Sequence, residues 1–157
     1  KEGKLYNIGE NLGIDLYVGW AVGTHSGDSD LEKVFKKSSA LCNRLNDGDI
    51  DGAMEIFGAN PVSVYHNECE QENELRGVVR SGLGGFVDGK HKASERKTLF
   101  HRKIGDYIFR GGLYADLDTV NDEKHEGEFF EVWQKDKNDE WYLNAQYQRP
   151  SHRRTSR

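Results

Sequence analysis

Side chains able to move protons, hold metals or attack carbonyls are thinly spread along this chain. Its six histidines (His25, His66, His91, His101, His125 and His152) occur singly, with no pair at helical i,i+4 spacing and no cysteine cluster beside them. A structural zinc centre is therefore not expected. His66 is the best proton carrier among them, because it follows a β-branched run and an imidazole titrates near neutrality. Cys42 and Cys69 lack the CxxC spacing of a redox pair, which leaves two thiols and one disulfide both open. The acidic stretch DLDTVNDE at 116–123 has neither the glycine nor the distal glutamate of a calcium loop. SGLGG at 81–85 does not directly follow a strand, as a phosphate-cradling loop would. Neither a metal nor another cofactor is expected.

The bulk numbers bound the setting of this chemistry. A chain of 157 residues is the size of one domain. Only 35% of it is hydrophobic, but 11% is Trp, Tyr or Phe, and those side chains fill a core efficiently. The 22 basic and 27 acidic residues give a net charge of −5, which argues against a general phosphate-backbone binder, so no nucleic-acid partner is expected. There is no apolar run of about 18 residues, so no membrane partner is expected and the chain reads as soluble. Cytoplasmic and secreted settings both stay open, with no Asn-x-Ser/Thr acceptor to favour the second.

The elements that must position the candidate residues follow from spacing. Ser29 followed by Glu32 forms a capping box. Leu31, Val34, Phe35, Leu41, Cys42 and Leu45 then fall on one helical stripe that ends at Asn46-Asp47-Gly48. Asp49 caps a short second helix with Ile50, Ala53, Met54 and Phe57 inward, and Gly58 with Asn60-Pro61 closes it before the strand VSVY. NECEQENE at 67–74 is a loop, and Val78, Val79, Leu83, Phe86 and Val87 suit a third helix despite its glycines. From Ala93 the period becomes two, with turns at Gly105-Asp106, Asn121 to Gly127 and Asp136 to Asp139. Helices first and a meander afterwards describe an α+β domain.

Register places side chains on faces. A two-residue turn at Gly105-Asp106 sets Ile104 opposite Tyr107, Arg102 opposite Phe109 and Phe100 opposite Gly111. The more apolar set Tyr107, Phe109, Leu113, Ala115 and Leu117 is expected to meet the helices, leaving Ile108, Arg110 and Tyr114 outside. A turn centred on Lys137-Asn138 pairs Gln134 with Trp141 and Val132 with Leu143, which puts Phe129, Trp133 and Tyr142 on the outer face. With Tyr114, these form a contiguous apolar surface suited to a homodimer interface.

The order of helices and strands resembles the nuclear transport factor 2-like fold, a cone of curved antiparallel sheet packed on about three N-terminal helices. The similarity rests on IGDYIFRGGLY (104–114) and EGEFFEVWQKDKNDEWYLNAQYQRP (126–150), and is nearest in style to polyketide-cyclase-like (SnoaL-like) domains. It spans 29–150, leaving 1–28 as an N-terminal extension and 151–157 as a basic disordered tail. The resemblance implies a cavity on the concave face. By the register above, Phe100, Arg102, Tyr107, Phe109, Gln134, Trp141 and Tyr147 line it and hold a small apolar ligand, with Arg102 available to clamp an anion. Glu128, the one carboxylate in phase, sits at the rim. The expected function is ligand binding by a dimerising cone-fold domain. Alternatives are a cofactor-free lyase or isomerase using His66 with Tyr107, and a pure oligomerisation module.

Overall fold

A computed structural model describes residues 29–65, 68–69, 77, 79–80, 83–93 and 96–151. His66 and the segments 1–28 and 152–157 lie outside the described residues. The element order is α1 (Ser29–Asn46), α2 (Ile50–Met54), β1 (Phe57–Tyr65), β2 (Glu68–Cys69), α3 (Gly84–Val87), β3 (His91–Ala93), β4 (Lys97–Ile104), β5 (Tyr107–Asp118), β6 (Glu123–Lys135) and β7 (Trp141–Pro150). Among the described residues the strands form one sheet in the order β2-β1-β7-β6-β5-β3, with β4 also paired to β5. The α+β class and the curved sheet on N-terminal helices agree with expectation. One pairing differs from an all-antiparallel cone: β1 runs parallel to β7, because the whole meander intervenes between them and returns the chain in the same direction.

The helical part follows the sequence pattern closely. Leu31, Val34, Leu41, Cys42 and Leu45 of α1 are buried. Asp49 caps α2, its Oδ1 accepting from the Gly52 amide at 2.9 Å. Strand β1 begins earlier than expected, since Phe57 is already extended and pairs with Leu143. Where one helix is expected over 78–87, Gly77, Val79 and Arg80 are helical and α3 is a separate short piece.

The faces of the meander are the reverse of the expected ones. The Gly105-Asp106 turn and its register hold, with Gly105 at φ 57°. Yet Ile108, Arg110, Tyr114, Phe129, Glu131 and Trp133 point toward the helices and are buried, whereas Tyr107 is 41% and Leu113 42% exposed. Two physical causes act together. On β5 the more apolar face is the outer one, because the inner face buries Arg110 against Glu131, its cross-strand neighbour. At the β6–β7 turn, Asp136 accepts from the amides of Asn138 (2.8 Å) and Glu140 (3.0 Å), closing a loop over 136–140, so Lys135 rather than Gln134 pairs with Trp141. A one-residue slip turns every side chain over. A bulge at Asn144 then moves Ala145 and Tyr147 to the outer side while Trp141 and Leu143 stay in the core. The turn before β6 is also earlier than expected, at 119–122.

At the start of α1, Asp30 is buried beneath three lysines. Lys103 Nζ donates to its Oδ2 at 2.6 Å, and the Trp141 indole donates to Oδ1 at 3.2 Å. Lys135 and Lys33 stand 3.6 and 3.9 Å away. The Lys103 hydrogen bond, outweighing desolvation and joined by Trp141, lowers the Asp30 carboxyl to about 2. A depressed carboxylate stabilises the fold above its unfolded value and loses that contribution as protons bind. Stability is therefore expected to hold above about pH 4 and to fall toward pH 2 by at most roughly 2 kcal/mol from this group. Acid titrations of urea midpoints check this, and Asp30→Asn should remove that part of the pH dependence.

Candidate functional site

The concave face and α1 enclose an open cleft of about 400 Å³, lined by Phe35, Ser38, Ser39, Cys42, Arg96, Thr98, Leu99, His101 and Arg110. That volume falls in the ordinary range for small-molecule sites. The lining comes mostly from regular elements. Helix α1 supplies Phe35 to Cys42 at intervals that share one side, and β4, β5 and Arg96 just before β4 supply the other lining residues. The bulge between Thr98 and Phe100 brings both Thr98 and Leu99 to the cleft while Phe100 stays outside. Gly112 opposes this bulge, where a Cβ would collide with the Lys97 carbonyl.

The chemical centre of the cleft is an ion cluster. Arg110 is 2% and Glu131 1% exposed. Arg110 Nε lies 3.2 Å from Glu131 Oε2, and its Nη2 donates to Ser38 Oγ at 2.7 Å. Arg96 Nη1 approaches Glu131 Oε1 at 3.2 Å, and the Trp133 indole donates to Oε2 at 2.9 Å. Gln148, turned so that its amide oxygen faces Arg96, accepts from Nη2 at 2.6 Å. Both guanidiniums lie over the Phe129 ring, each 5.1 Å from its centroid, and Arg110 is 5.5 Å from the Phe35 centroid. His101 meets Phe35 edge-on at 6.4 Å. Burial pulls the Arg110 pKa down, and Glu131 pulls it back up. Burial likewise pushes the Cys42 thiol up, which keeps it protonated and a poor nucleophile.

The residues singled out from sequence are placed as follows. Of the expected ligand set, Trp141 is fully buried in the core. Phe100, Tyr107, Phe109, Gln134 and Tyr147 stand on the outer face and Arg102 is exposed there, as strand register and burial require. Tyr107, offered as a catalytic partner of His66, has its phenol oxygen accepting from Gln134 Nε2 at 3.1 Å, on the side of the sheet away from the cleft. Of the expected dimer set, Tyr114, Phe129 and Trp133 are buried inside the cone, where they cannot meet a partner. Tyr142 is outward and half-buried, with Lys37 Nζ 4.7 Å from its ring centroid. Sequence reasoning missed Phe35, Ser38, Arg96, His101, Arg110 and Glu131 as site residues. A usable signal existed, since Arg110 and Glu131 face each other across β5 and β6 in phase with Phe129 and Trp133.

On the outer face Phe100, Phe109 and Phe130 form a chain of rings. Phe100 stacks on Phe130 at 6.2 Å, Phe109 lies 6.3 Å from Phe130, and Tyr107 lies 6.5 Å from Phe109. Gly111 makes room for this, because the Phe100 ring lies where a Cβ would be. Among the described residues no group of three metal-ligating side chains converges, and no helix is long and apolar enough to cross a membrane.

No family model and no curated protein matches the sequence. Similar solved structures exist at low identity. A cystatin-like-fold protein of unknown function from Nostoc punctiforme superposes with a TM-score of 0.64 at 9% identity, covering 78% of this chain and 92% of that one. An NTF-2-like protein of unknown function from Shewanella oneidensis gives 0.60 at 11% identity, covering 75% and 97%. ActVI-ORFA from Streptomyces coelicolor gives 0.63 at 14% identity, covering 78% and 97%. The fold is thus the cystatin-like, nuclear transport factor 2-like cone.

Proposed function

We propose that this chain is a small-molecule-binding domain that takes its ligand on the concave face, between α1 and strands β4 and β5. The observation carrying this reading is the cleft itself. It stays open although aromatic side chains stand nearby, and its polar groups are held in place by the Arg110–Glu131–Trp133 cluster rather than left to solvent. Preorganised polar groups in a partly apolar cavity are what orient a ligand. Ser39 lines the cleft from the exposed edge of α1, so Ser39→Trp should fill it without disturbing the core. In thermal-shift screens of small aromatic compounds, binders are expected to raise the wild-type midpoint by several degrees and to leave Ser39→Trp unmoved. Shifts that persist in Ser39→Trp would place binding elsewhere.

The outer face supports a second element of this reading, a homodimer formed through Phe100, Tyr107, Phe109 and Phe130. These rings are contiguous and partly exposed. Arg102 stands opposite Phe109 near one end of the patch, whereas Glu128 and Glu126 stand opposite Leu113 and Ala115 at the other. A two-fold axis through the patch reverses the strands and sets Arg102 of one copy over the glutamates of the other, the self-complementarity an isologous contact needs. Sedimentation at tens of micromolar should show a dimer that Phe109→Arg converts to monomer. A wild-type monomer under those conditions would remove the proposal.

A further inference from the structure

Resting on the cleft as a ligand site, we infer that its ligand is a small organic anion, a carboxylate on an apolar body. The charged lining groups are Arg96 and Arg110, and no carboxylate lines the cleft among the described residues. Glu131 lies behind them, 1% exposed, and one carboxylate faces two guanidiniums. Asp116 is close enough for its charge to act on Cys42, but it does not line the cleft. A ligand entering from solvent therefore meets two guanidiniums in the wall, with the carboxylates of Glu131 and Asp116 outside the lining.

The geometry favours a carboxylate over a neutral group of the same shape. Arg96 and Arg110 are both fixed against the Phe129 ring, and Ser38 Oγ holds Arg110 from the helix side. Guanidiniums so positioned lose little entropy on binding and match the planar fork of a carboxylate. In the same cleft, Phe35 and Leu99 offer apolar contact for the rest of the molecule. A neutral ligand of the same shape would lose the charge-assisted hydrogen bonds that a carboxylate accepts from guanidiniums, which costs affinity.

The test compares 2-naphthoate with its neutral isostere 2-naphthamide by calorimetric titration of the wild-type chain, with Arg96→Gln and Ser39→Trp as variants. Arg96 is the accessible member of the pair, its side chain being 11% exposed, so its substitution spares the buried Arg110–Glu131 contact. Naphthoate is expected to bind at least about tenfold more tightly than naphthamide, to lose about tenfold in Arg96→Gln, and to weaken as salt rises. Equal binding of both compounds, abolished in Ser39→Trp, would overturn the anion preference while keeping the cleft as the site. Failure of both to bind at millimolar concentration would overturn the anion preference and the cleft reading together.

Discussion

Glu131→Leu is expected to destabilise the protein by about 3–5 kcal/mol, the usual cost of removing one partner of a buried ion pair. The carboxylate is 1% exposed and touches Arg110, Arg96 and the Trp133 indole. Leucine leaves no cavity, so the loss comes chiefly from charge. Two guanidiniums remain against aromatic rings without the carboxylate they share, and a buried indole N–H loses its acceptor. In urea, with a slope of about 2 kcal/mol per molar, the midpoint should fall by roughly 2 M. The triple variant Glu131→Leu/Arg110→Met/Arg96→Met should recover much of this, because a buried ionic cluster replaced as a unit by apolar side chains costs little. A single substitution that leaves the midpoint unchanged would show that Glu131 is solvated, and with it that the cluster is not the interior feature described above.

A comparably large effect is expected from Trp133→Ala, and its contrast with a neighbouring position carries as much information as its size. Trp133 is fully buried in the core cluster, so truncation should cost about 3–5 kcal/mol in transfer and cavity terms. Three residues earlier on the same strand, Phe130 points to the opposite side, stacks on Phe100 and lies 6.3 Å from the Phe109 ring. Phe130→Ser should cost under about 1.5 kcal/mol, the scale of an aromatic pair, but should alter self-association. Urea titration and sedimentation of both variants separate the two faces. Large destabilisation from Phe130→Ser with little from Trp133→Ala would mean the sheet is turned over.

Much of the architecture was legible from periodicity, and its limits are physical. Helix α1 was readable because Leu31, Val34, Leu41 and Leu45 repeat at helical spacing and meet one core. The β4–β5 hairpin was readable because Gly105 supplies the left-handed turn position. The sheet faces were not, because hydrophobicity alone decided them. Tyr107, Phe109 and Leu113 outrank Ile108, Arg110 and Tyr114 in apolar character, yet the second set is inside, where Arg110 is neutralised by a carboxylate on the next strand. Such compensation is invisible until the β5–β6 pairing is known. The Asp136 loop added a second reversal, since one residue in a turn changes the face of the strand that follows. As a result most of the aromatic residues assigned to a ligand stand on the outer face, and Tyr114, Phe129 and Trp133, assigned to a partner, are buried.

The indole resonances test the central claim, that ligand binds on the concave face beside the Arg110–Glu131–Trp133 cluster. Trp133 donates to Glu131 next to the cleft, whereas Trp141 donates to Asp30 about two turns of α1 away. In proton–nitrogen spectra of the labelled chain, assigned with Trp133→Phe and Trp141→Phe, saturating 2-naphthoate should move the Trp133 indole signal and leave that of Trp141 in place. Binding detected by calorimetry with the Trp133 signal unmoved would contradict the account.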